Sequence, residues 1–179
     1  MAQLPLRVSG ACLDRETIRR LLAASPPLVE DFVDLEAQLQ PNGFDLTLRS
    51  IAAFVEPGQI GRTDAERRLA TTEEMAFDLE GYVTLRPGPY LFRMNEVLNL
   101  PMDVMTLGAP RSSLIRSGVS VHTGVGDAGY RGRFQALMVV HHSKGFRVAQ
   151  NARVFQLVFF RMERAVERGY EGRFQDEGR

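Results

Sequence analysis

Residues 119–140 read VSVHTGVGDAGYRGRFQALMVV, and this stretch is the most informative about the fold. Two strand-like runs, 119–121 and 134–140, flank a bend that contains four glycines. Apolar and β-branched runs separated by glycine predict two strands joined by a hairpin. A lone carboxylate, Asp127, lies in the bend, where it could accept a proton from water. The alternative is an ordinary turn aspartate, because aspartate is common wherever it meets glycine.

The same pattern recurs along most of the chain. Further strand candidates are residues 44–54, 83–85, 90–92, 104–107 and 154–160, separated by glycine, proline, asparagine and aspartate. Many short strands without alternating helices argue against a parallel α/β sheet. We therefore expect an all-β, mainly antiparallel fold, either a sandwich or a jelly-roll-like barrel.

Three segments fall outside this strand pattern. Residues 13–24 predict one short helix with Asp14 as its N-cap, ended by Ser-Pro-Pro at 25–27. Residues 58–74 are polar and predict an exposed insertion or a short helix. The charged, glycine-bearing segment 164–179 predicts a mobile C-terminal tail on a single domain that spans residues 1–179.

Composition narrows the class of protein. Lysine plus arginine and aspartate plus glutamate each number 22, and the zero net charge argues against a nucleic-acid partner. The single cysteine, Cys12, excludes an internal disulfide framework and a multi-cysteine zinc site. No apolar run is long enough to span a bilayer, and the first residues do not form a signal peptide. We therefore expect a cytoplasmic protein without a membrane partner.

The segment PRSSLIR at 110–116 has the chemistry of a phosphate-binding turn. Arg111 offers a guanidinium fork, Ser112 and Ser113 add hydroxyl and backbone donors, and Arg116 brings a second cation. The alternative is a surface turn with a salt-bridged arginine. Because this segment is close in sequence to Asp127, hydrolysis of a small phosphate ester is our first hypothesis.

Other polar residues leave their alternatives open. The Tyr130 ring could stack on a sugar, or it could be an ordinary strand aromatic. Asp45 could orient a metal-bound water, or it could belong to a turn that feeds a strand. His141 and His142 are adjacent and would point to opposite faces of a strand, which is poor geometry for a metal site.

The order of these motifs resembles the trimeric dUTPases and the related dCTP deaminases. The resemblance runs from Leu13 to Gln175, and the similar segments are 13–22, 40–46, 85–88, 98–101, 110–114, 151–157 and 170–175. It implies a jelly-roll-like β-barrel of the dUTPase type with a short N-terminal helix. It also implies a homotrimer in which neighbouring subunits build each site together.

The site residues resemble the dUTPase branch. The glutamate that carries the chemistry in the deaminases would fall at Leu137, and no acidic residue lies between Asp127 and Glu163. The dUTPase pattern is present from Gly124 to Gly132, although the length and the N-terminal helix look like the deaminase branch. The resemblance therefore implies hydrolysis of dUTP to dUMP and pyrophosphate. The alternatives are a dCTP deaminase, a bifunctional deaminase–dUTPase, a nucleotide-binding regulator without catalysis, or an unrelated jelly-roll protein.

The resemblance also implies a role for each site residue. Asp127 would be the general base, and Mg²⁺ would bind mainly through the substrate triphosphate, with Asp45 holding a metal-bound water. The residues implied in substrate binding are Arg111, Ser112, Ser113, Arg116, Gly124, Tyr130, Gln156, Tyr170, Arg173, Phe174 and Gln175. The last four belong to a lid segment at 164–179. Gly126 replaces a usual Ile or Val, which predicts a looser hairpin.

Overall fold

The computed structural model describes residues 11–179. Residues 1–10, where we expected no signal peptide, lie outside the described part. The helices are α1 (Arg15–Leu22), α2 (Leu35–Gln38) and α3 (Ser112–Arg116), with one 3₁₀ turn at Asp64–Glu66. The strands are β1 (Val29–Glu30), β2 (Leu39–Gln40), β3 (Gly43–Glu56), β4 (Thr71–Glu74), β5 (Tyr82–Leu85), β6 (Gly88–Asn99), β7 (Val104–Pro110), β8 (Val119–Thr123), β9 (Arg131–Val140), β10 (Phe146–Ala149) and β11 (Arg153–Arg161).

Nine strands form one antiparallel sheet that almost closes on itself. Its path is β7-β11-β3-β6-β9-β8, with β1 paired to β6 and with β2 and β4 paired to β3. Thr106 of β7 and Gly126, just after β8, exchange two backbone hydrogen bonds of 2.9 Å, so the two ends of the path meet. A separate two-stranded sheet joins β5 and β10. The expected all-β, mainly antiparallel barrel is confirmed.

Strict alternation along β9 shows why this sequence folds as a barrel wall. Phe134, Ala136 and Met138 are buried, and the residues between them are only half-buried. This is the period of two that a strand with one face on the core requires. Phe92 and Phe155, both fully buried, meet edge to face at 6.1 Å between ring centroids. The buried faces therefore form one aromatic and aliphatic core inside the barrel.

Strand β6 is much longer than the predicted run 90–92. Its second half includes Glu96, a charged residue that is buried. Glu96 is 0% exposed and accepts hydrogen bonds from Gln38 Nε2 at 2.7 Å and from Thr47 Oγ1 at 2.6 Å. The backbone N–H of Thr47 donates to the other carboxylate oxygen at 2.9 Å. Burial raises the pKa of Glu96, while these hydrogen bonds lower it. Strand β6 therefore continues through a buried carboxylate, where the polar sequence predicts that it ends.

The helical and polar segments differ in part from expectation. Helix α1 is confirmed, and the Asp14 side chain caps it by accepting the Thr17 N–H at 2.7 Å. The polar segment 58–74, expected to be an exposed insertion or a short helix, contains the short 3₁₀ turn at Asp64–Glu66 and also strand β4, which was not expected; β10 was missed. A one-turn helix, α3, replaces the expected tight turn. None of the helices described between residues 11 and 179 is long and apolar enough to cross a membrane.

Candidate active site

The loop between β8 and β9 is held rigidly by its backbone. Besides the paired bonds between Gly126 and Thr106, the Gly129 N–H donates to Leu100 O at 3.0 Å. A Cβ on Gly126 would lie 2.3 Å from Thr106 Cγ2, which only glycine avoids. The expected loosening of the hairpin by Gly126 is therefore wrong, because this glycine allows the loop to bond to β7. The Asp127 side chain is exposed and has no hydrogen bond or ion pair to residues 11–179.

A cavity of about 500 Å³ opens beside this loop. Among the residues that the sequence predicted for the site, it is lined by Gly124, Asp127, Tyr130, Tyr170 and Phe174. Further lining residues, which no motif predicted, come from β3, β4, β6, β9 and the tail, chiefly Phe54, Thr72, Arg93, Gln135 and Glu177. The alternation of β9 placed Gln135 on the outer face, but the sequence contained no signal for the other four.

Tyr130 forms an aromatic wall of the cavity. The side chain is buried and packs edge to face on Phe134 at 5.9 Å and on Tyr170 at 5.5 Å between ring centroids. Burial raises the pKa of its phenol above the ordinary value of 10.0, so the ring stays uncharged at neutral pH. The ring is therefore a neutral apolar surface, which suits packing against a sugar or a base.

The C-terminal tail, which we expected to be mobile, lies docked on the same loop. The Tyr170 N–H donates to Ala128 O at 2.8 Å. The Gln175 side chain spans the loop, since its Oε1 accepts the Arg131 N–H and its Nε2 donates to Gly129 O, both at 3.0 Å. Gln175 therefore binds the loop backbone and does not line the 500 Å³ cavity.

The end of the tail brings a second carboxylate to the cavity. Glu177 accepts a hydrogen bond from Gln135 Nε2 at 2.7 Å. Burial raises the pKa of Glu177, while the charges of Arg93 and Arg173 lower it. Arg173 itself is exposed and does not line the cavity, whereas Phe174 is half-buried and does. Asp127 and Glu177 are the two acidic groups in the lining formed by the described residues.

The phosphate-binding motif lies apart from this cavity and is tied to a buried acid. Arg111 precedes α3, and its guanidinium bonds to the carboxylate of Asp45, a residue that is only 3% exposed. Arg153 Nη1 approaches the same carboxylate at 3.4 Å. Burial raises the pKa of Asp45, and the two arginines act to lower it. Asp45, predicted to hold a metal-bound water, instead has its carboxylate occupied by two guanidinium groups.

The remaining motif residues lie on α3 and β11. Ser112, Ser113 and Arg116 are exposed on α3, while Leu114 between them is buried and anchors the helix to the core. Gln156 of β11 lies opposite Asp45 of β3 in the strand register. No residue of this group lines the cavity within the described chain. The structure therefore divides the predicted site residues into two groups. We call the predicted residues that line the cavity the Asp127 region: Gly124, Asp127, Tyr130, Tyr170 and Phe174. We call the group around the buried acid the Arg111 region: Asp45, Arg111, Ser112, Ser113, Arg116 and Gln156.

The described residues hold no ready-made metal cage. No group of three or more histidine, cysteine, aspartate or glutamate side chains between residues 11 and 179 could hold an ion. The position of the deaminase acid, Leu137, is half-buried on β9 with Leu91 and His122 as its cross-strand neighbours. Neither neighbour is acidic, so this position offers no carboxylate.

Two known proteins match most of this chain. The probable deoxyuridine 5′-triphosphate nucleotidohydrolase of Methanococcoides burtonii is 41% identical over 165 residues, which cover 92% of this chain and 97% of that protein. The protein of the same name from Archaeoglobus fulgidus is 42% identical over 167 residues, covering 93% of this chain and 97% of its own length.

A solved structure shares the fold. The crystal structure of 2′-deoxycytidine 5′-triphosphate deaminase from Agrobacterium tumefaciens superposes with a TM-score of 0.67 at 24% identity. The match covers 87% of this chain and 49% of that chain, so the protein spans about half of the deaminase structure. The family model described as dCTP deaminase-like matches residues 12–162. The chain therefore belongs to the dCTP deaminase-like family.

Proposed function

We propose that this protein is a dUTP diphosphatase, which hydrolyses dUTP to dUMP and pyrophosphate in pyrimidine deoxynucleotide metabolism. The observation that carries the proposal is an exposed Asp127 on a rigid glycine loop at the mouth of a nucleoside-sized cavity. The names of relatives that are 41% and 42% identical over most of the chain support it. Leu137 supports hydrolysis over deamination, because leucine cannot transfer a proton.

In this mechanism Asp127 acts as general base. Its carboxylate takes a proton from a water molecule, and the water oxygen forms a bond to the α-phosphorus. The bond from that phosphorus to the bridging oxygen breaks, and pyrophosphate leaves with the electron pair. A positioned general base contributes about 10²- to 10⁴-fold to such a step. The free carboxylate of Asp127 is suited to this role, since no described residue competes for it.

The cavity would hold the deoxynucleoside. Backbone groups of Gly124 and the residues up to Asp127 would read the uracil edge, and the neutral Tyr130 ring would pack on the deoxyribose. Phe174 would stack on the base from the tail side. Tyr170 and Gln175 already connect the tail to the loop, so segment 164–179 would serve as a lid that excludes other water.

The phosphates would be held by a neighbouring subunit of a homotrimer. Arg111, Ser112, Ser113, Arg116 and Gln156 lie outside the cavity of their own chain, so these donors would have to reach the triphosphate from another subunit. A symmetric ring of three chains would bring the Arg111 region of one subunit to the Asp127 region of the next. Asp45 would then orient Arg111, and Arg173 of the lid would meet the γ-phosphate.

Mg²⁺ fits this arrangement only as an ion bound mainly by the substrate. Asp45 is occupied by arginines, and the described chain offers no three-ligand cluster. Mg²⁺ commonly keeps several waters and binds through substrate phosphates with few protein ligands. Bound there, it would neutralise the charge that develops on the departing pyrophosphate.

We place this enzyme in the cytoplasm, as one domain over residues 1–179.

The test is pyrophosphate release from dUTP with Mg²⁺, for the native protein and for Asp127→Asn. We expect turnover by the native protein and a loss of at least about 100-fold in kcat for the variant. The melting temperature should not change, because the Asp127 side chain is exposed and unbonded to the described residues. Unchanged turnover in the variant would refute the assignment of the base.

The same samples distinguish the rival functions. Ammonia release from dCTP would show a deaminase or a bifunctional enzyme. Deamination would then not require an acidic residue at position 137. Tight binding of dUTP without turnover by the native protein would show a nucleotide-binding regulator. Deamination would overturn the choice of the hydrolase branch, and binding without turnover would overturn the proposed activity.

A further inference from the structure

We propose that Ser120, His122 and His141 form a surface binding site for a divalent transition-metal ion of the Zn²⁺, Ni²⁺ or Cu²⁺ class. Two imidazole nitrogens converge on one hydroxyl oxygen. Ser120 Oγ lies 3.2 Å from His122 Nε2 and 2.9 Å from His141 Nε2. This cluster shares no residue with the lining of the cavity, and the proposal does not depend on the proposed function.

The backbone of the β8–β9 hairpin fixes this convergence. Ser120 and His122 are two residues apart on β8, so their side chains share one face of the strand. His141 follows β9 directly, and its N–H donates to Gly118 O at 2.8 Å, which places it beside the start of β8. His141 and His142 are adjacent in sequence, whereas the structure brings together His122 of β8 and His141 just after β9.

The distances allow the two imidazoles to share one metal ion after their side chains rotate. Because both nitrogens lie about 3 Å from the same oxygen, they are no more than about 6 Å apart. A tetrahedral ion with metal–nitrogen bonds of about 2.0–2.1 Å needs them about 3.4 Å apart. His122 and His141 are both exposed, so their rings can rotate without disturbing the core. The Ser120 hydroxyl or a water molecule would then complete the coordination.

The donor set decides which ion binds. Imidazole suits zinc, copper and nickel, whereas Mg²⁺ and Ca²⁺ require oxygen ligands. Within the described chain no third histidine, cysteine or acidic residue completes a cluster. Affinity should therefore be lower than in a structural zinc site with four protein ligands. Protons compete with the ion for both imidazoles, so binding should weaken as the pH falls.

The chain supplies a matched control in its third histidine. His142 is exposed like the other two, but its Nδ1 accepts the Lys144 N–H at 3.2 Å and it takes no part in the contacts with Ser120. Replacing it removes one imidazole from the same hairpin end without touching the proposed site. Any general effect of histidine loss on surface metal binding would appear in this variant.

The experiment is calorimetric titration of tag-free protein with Zn²⁺ and, separately, Ni²⁺. We expect saturable binding by the native protein and by His142→Ala, and losses of at least about tenfold in affinity for His122→Ala and His141→Ala, since even an outer-shell partner is worth about 10- to 100-fold. Melting temperatures without metal should match for the native protein and the three variants, because the side chains of His122, His141 and His142 are all exposed. No saturable binding by the native protein, or an equal loss in His142→Ala, would overturn the proposal.

Discussion

The Asp127 region and the Arg111 region hold their charged groups in opposite ways. The Asp127 carboxylate is exposed and unbonded to the described residues, and its loop is fixed through the backbone at Gly126. The Arg111 guanidinium is instead fixed through its side chain by Asp45, a residue that is 3% exposed. Under the proposed mechanism, the acid that activates water is positioned through its backbone. The cation that binds phosphate is oriented by a buried partner.

The two regions should differ most in how the loss of their carboxylate charge changes the stability of the fold. Asp45→Asn removes the charge that Arg111 and Arg153 share, so we expect the free energy of unfolding to fall by about 1.5–3 kcal/mol, the typical worth of a hydrogen bond to a charged group. Asp127→Asn should change it by less than about 0.5 kcal/mol. Urea unfolding of both variants at one protein concentration measures the contrast. Similar values for the two variants would mean that the regions do not differ as described.

A second contrast concerns the backbone of the loop. Gly126→Ala puts a methyl group 2.3 Å from Thr106 Cγ2, and we expect a loss of about 1–3 kcal/mol from overpacking. Gly124→Ala is the matched control, because a Cβ there meets nothing within 4 Å. Thermal unfolding of the two variants checks the prediction. If both variants melt together with the native protein, the loop is not held by this contact.

The smallest effect concerns the pH at which the tail docks. Burial raises the pKa of Glu177 above the ordinary 4.5, so the docked tail favours the protonated carboxyl. The contribution of this group to docking is therefore full below its ordinary pKa and is lost as the pH rises through the raised pKa. Amide exchange of residues 170–178, corrected for intrinsic rates, should show more protection near about pH 5 than near about pH 8.

Two variants isolate Glu177 as the source of that trend. Glu177→Gln should remove most of the pH dependence, because its amide cannot ionise and its Oε1 can still accept from Gln135. Glu171→Gln, at an exposed position of the same tail, should keep it. An unchanged trend in Glu177→Gln would show that another group controls docking.

The sequence predicted the fold wherever burial follows a simple period. Strands β3, β9 and β11 were found because apolar residues dominate or alternate in them. The second half of β6 was missed because Glu96 is satisfied by Thr47, which is 49 residues away, and local pattern cannot reveal such a partner. Strand β4 was missed because Thr71–Glu74 is a polar strand with little buried surface.

The candidate site was predictable only where a motif marks it. Asp127 and Tyr130 lie in one glycine-rich string and were found together, and the structure places both at the cavity. Arg93 and Glu177 reach the same cavity from distant parts of the chain, so their local sequence does not mark them. Asp45, which was predicted to hold a metal-bound water, instead forms an ion pair with Arg111. The two residues are 66 positions apart, so the local sequence does not indicate this pairing.

In the proposed enzyme, the Asp127 region of one subunit completes its site with the Arg111 region of another. Asp127→Asn and Arg111→Ala should each be inactive alone, so the decisive measurement is dUTP turnover by trimers assembled from equal amounts of both variants. Random assembly leaves about one quarter of the sites with an intact Asp127 and an intact Arg111, and we predict that fraction of native turnover. If Asp127 and Arg111 instead act within one chain, every chain in the mixture carries a defect and no site is intact. Turnover that stays at the level of the separate variants would therefore contradict a site shared between subunits.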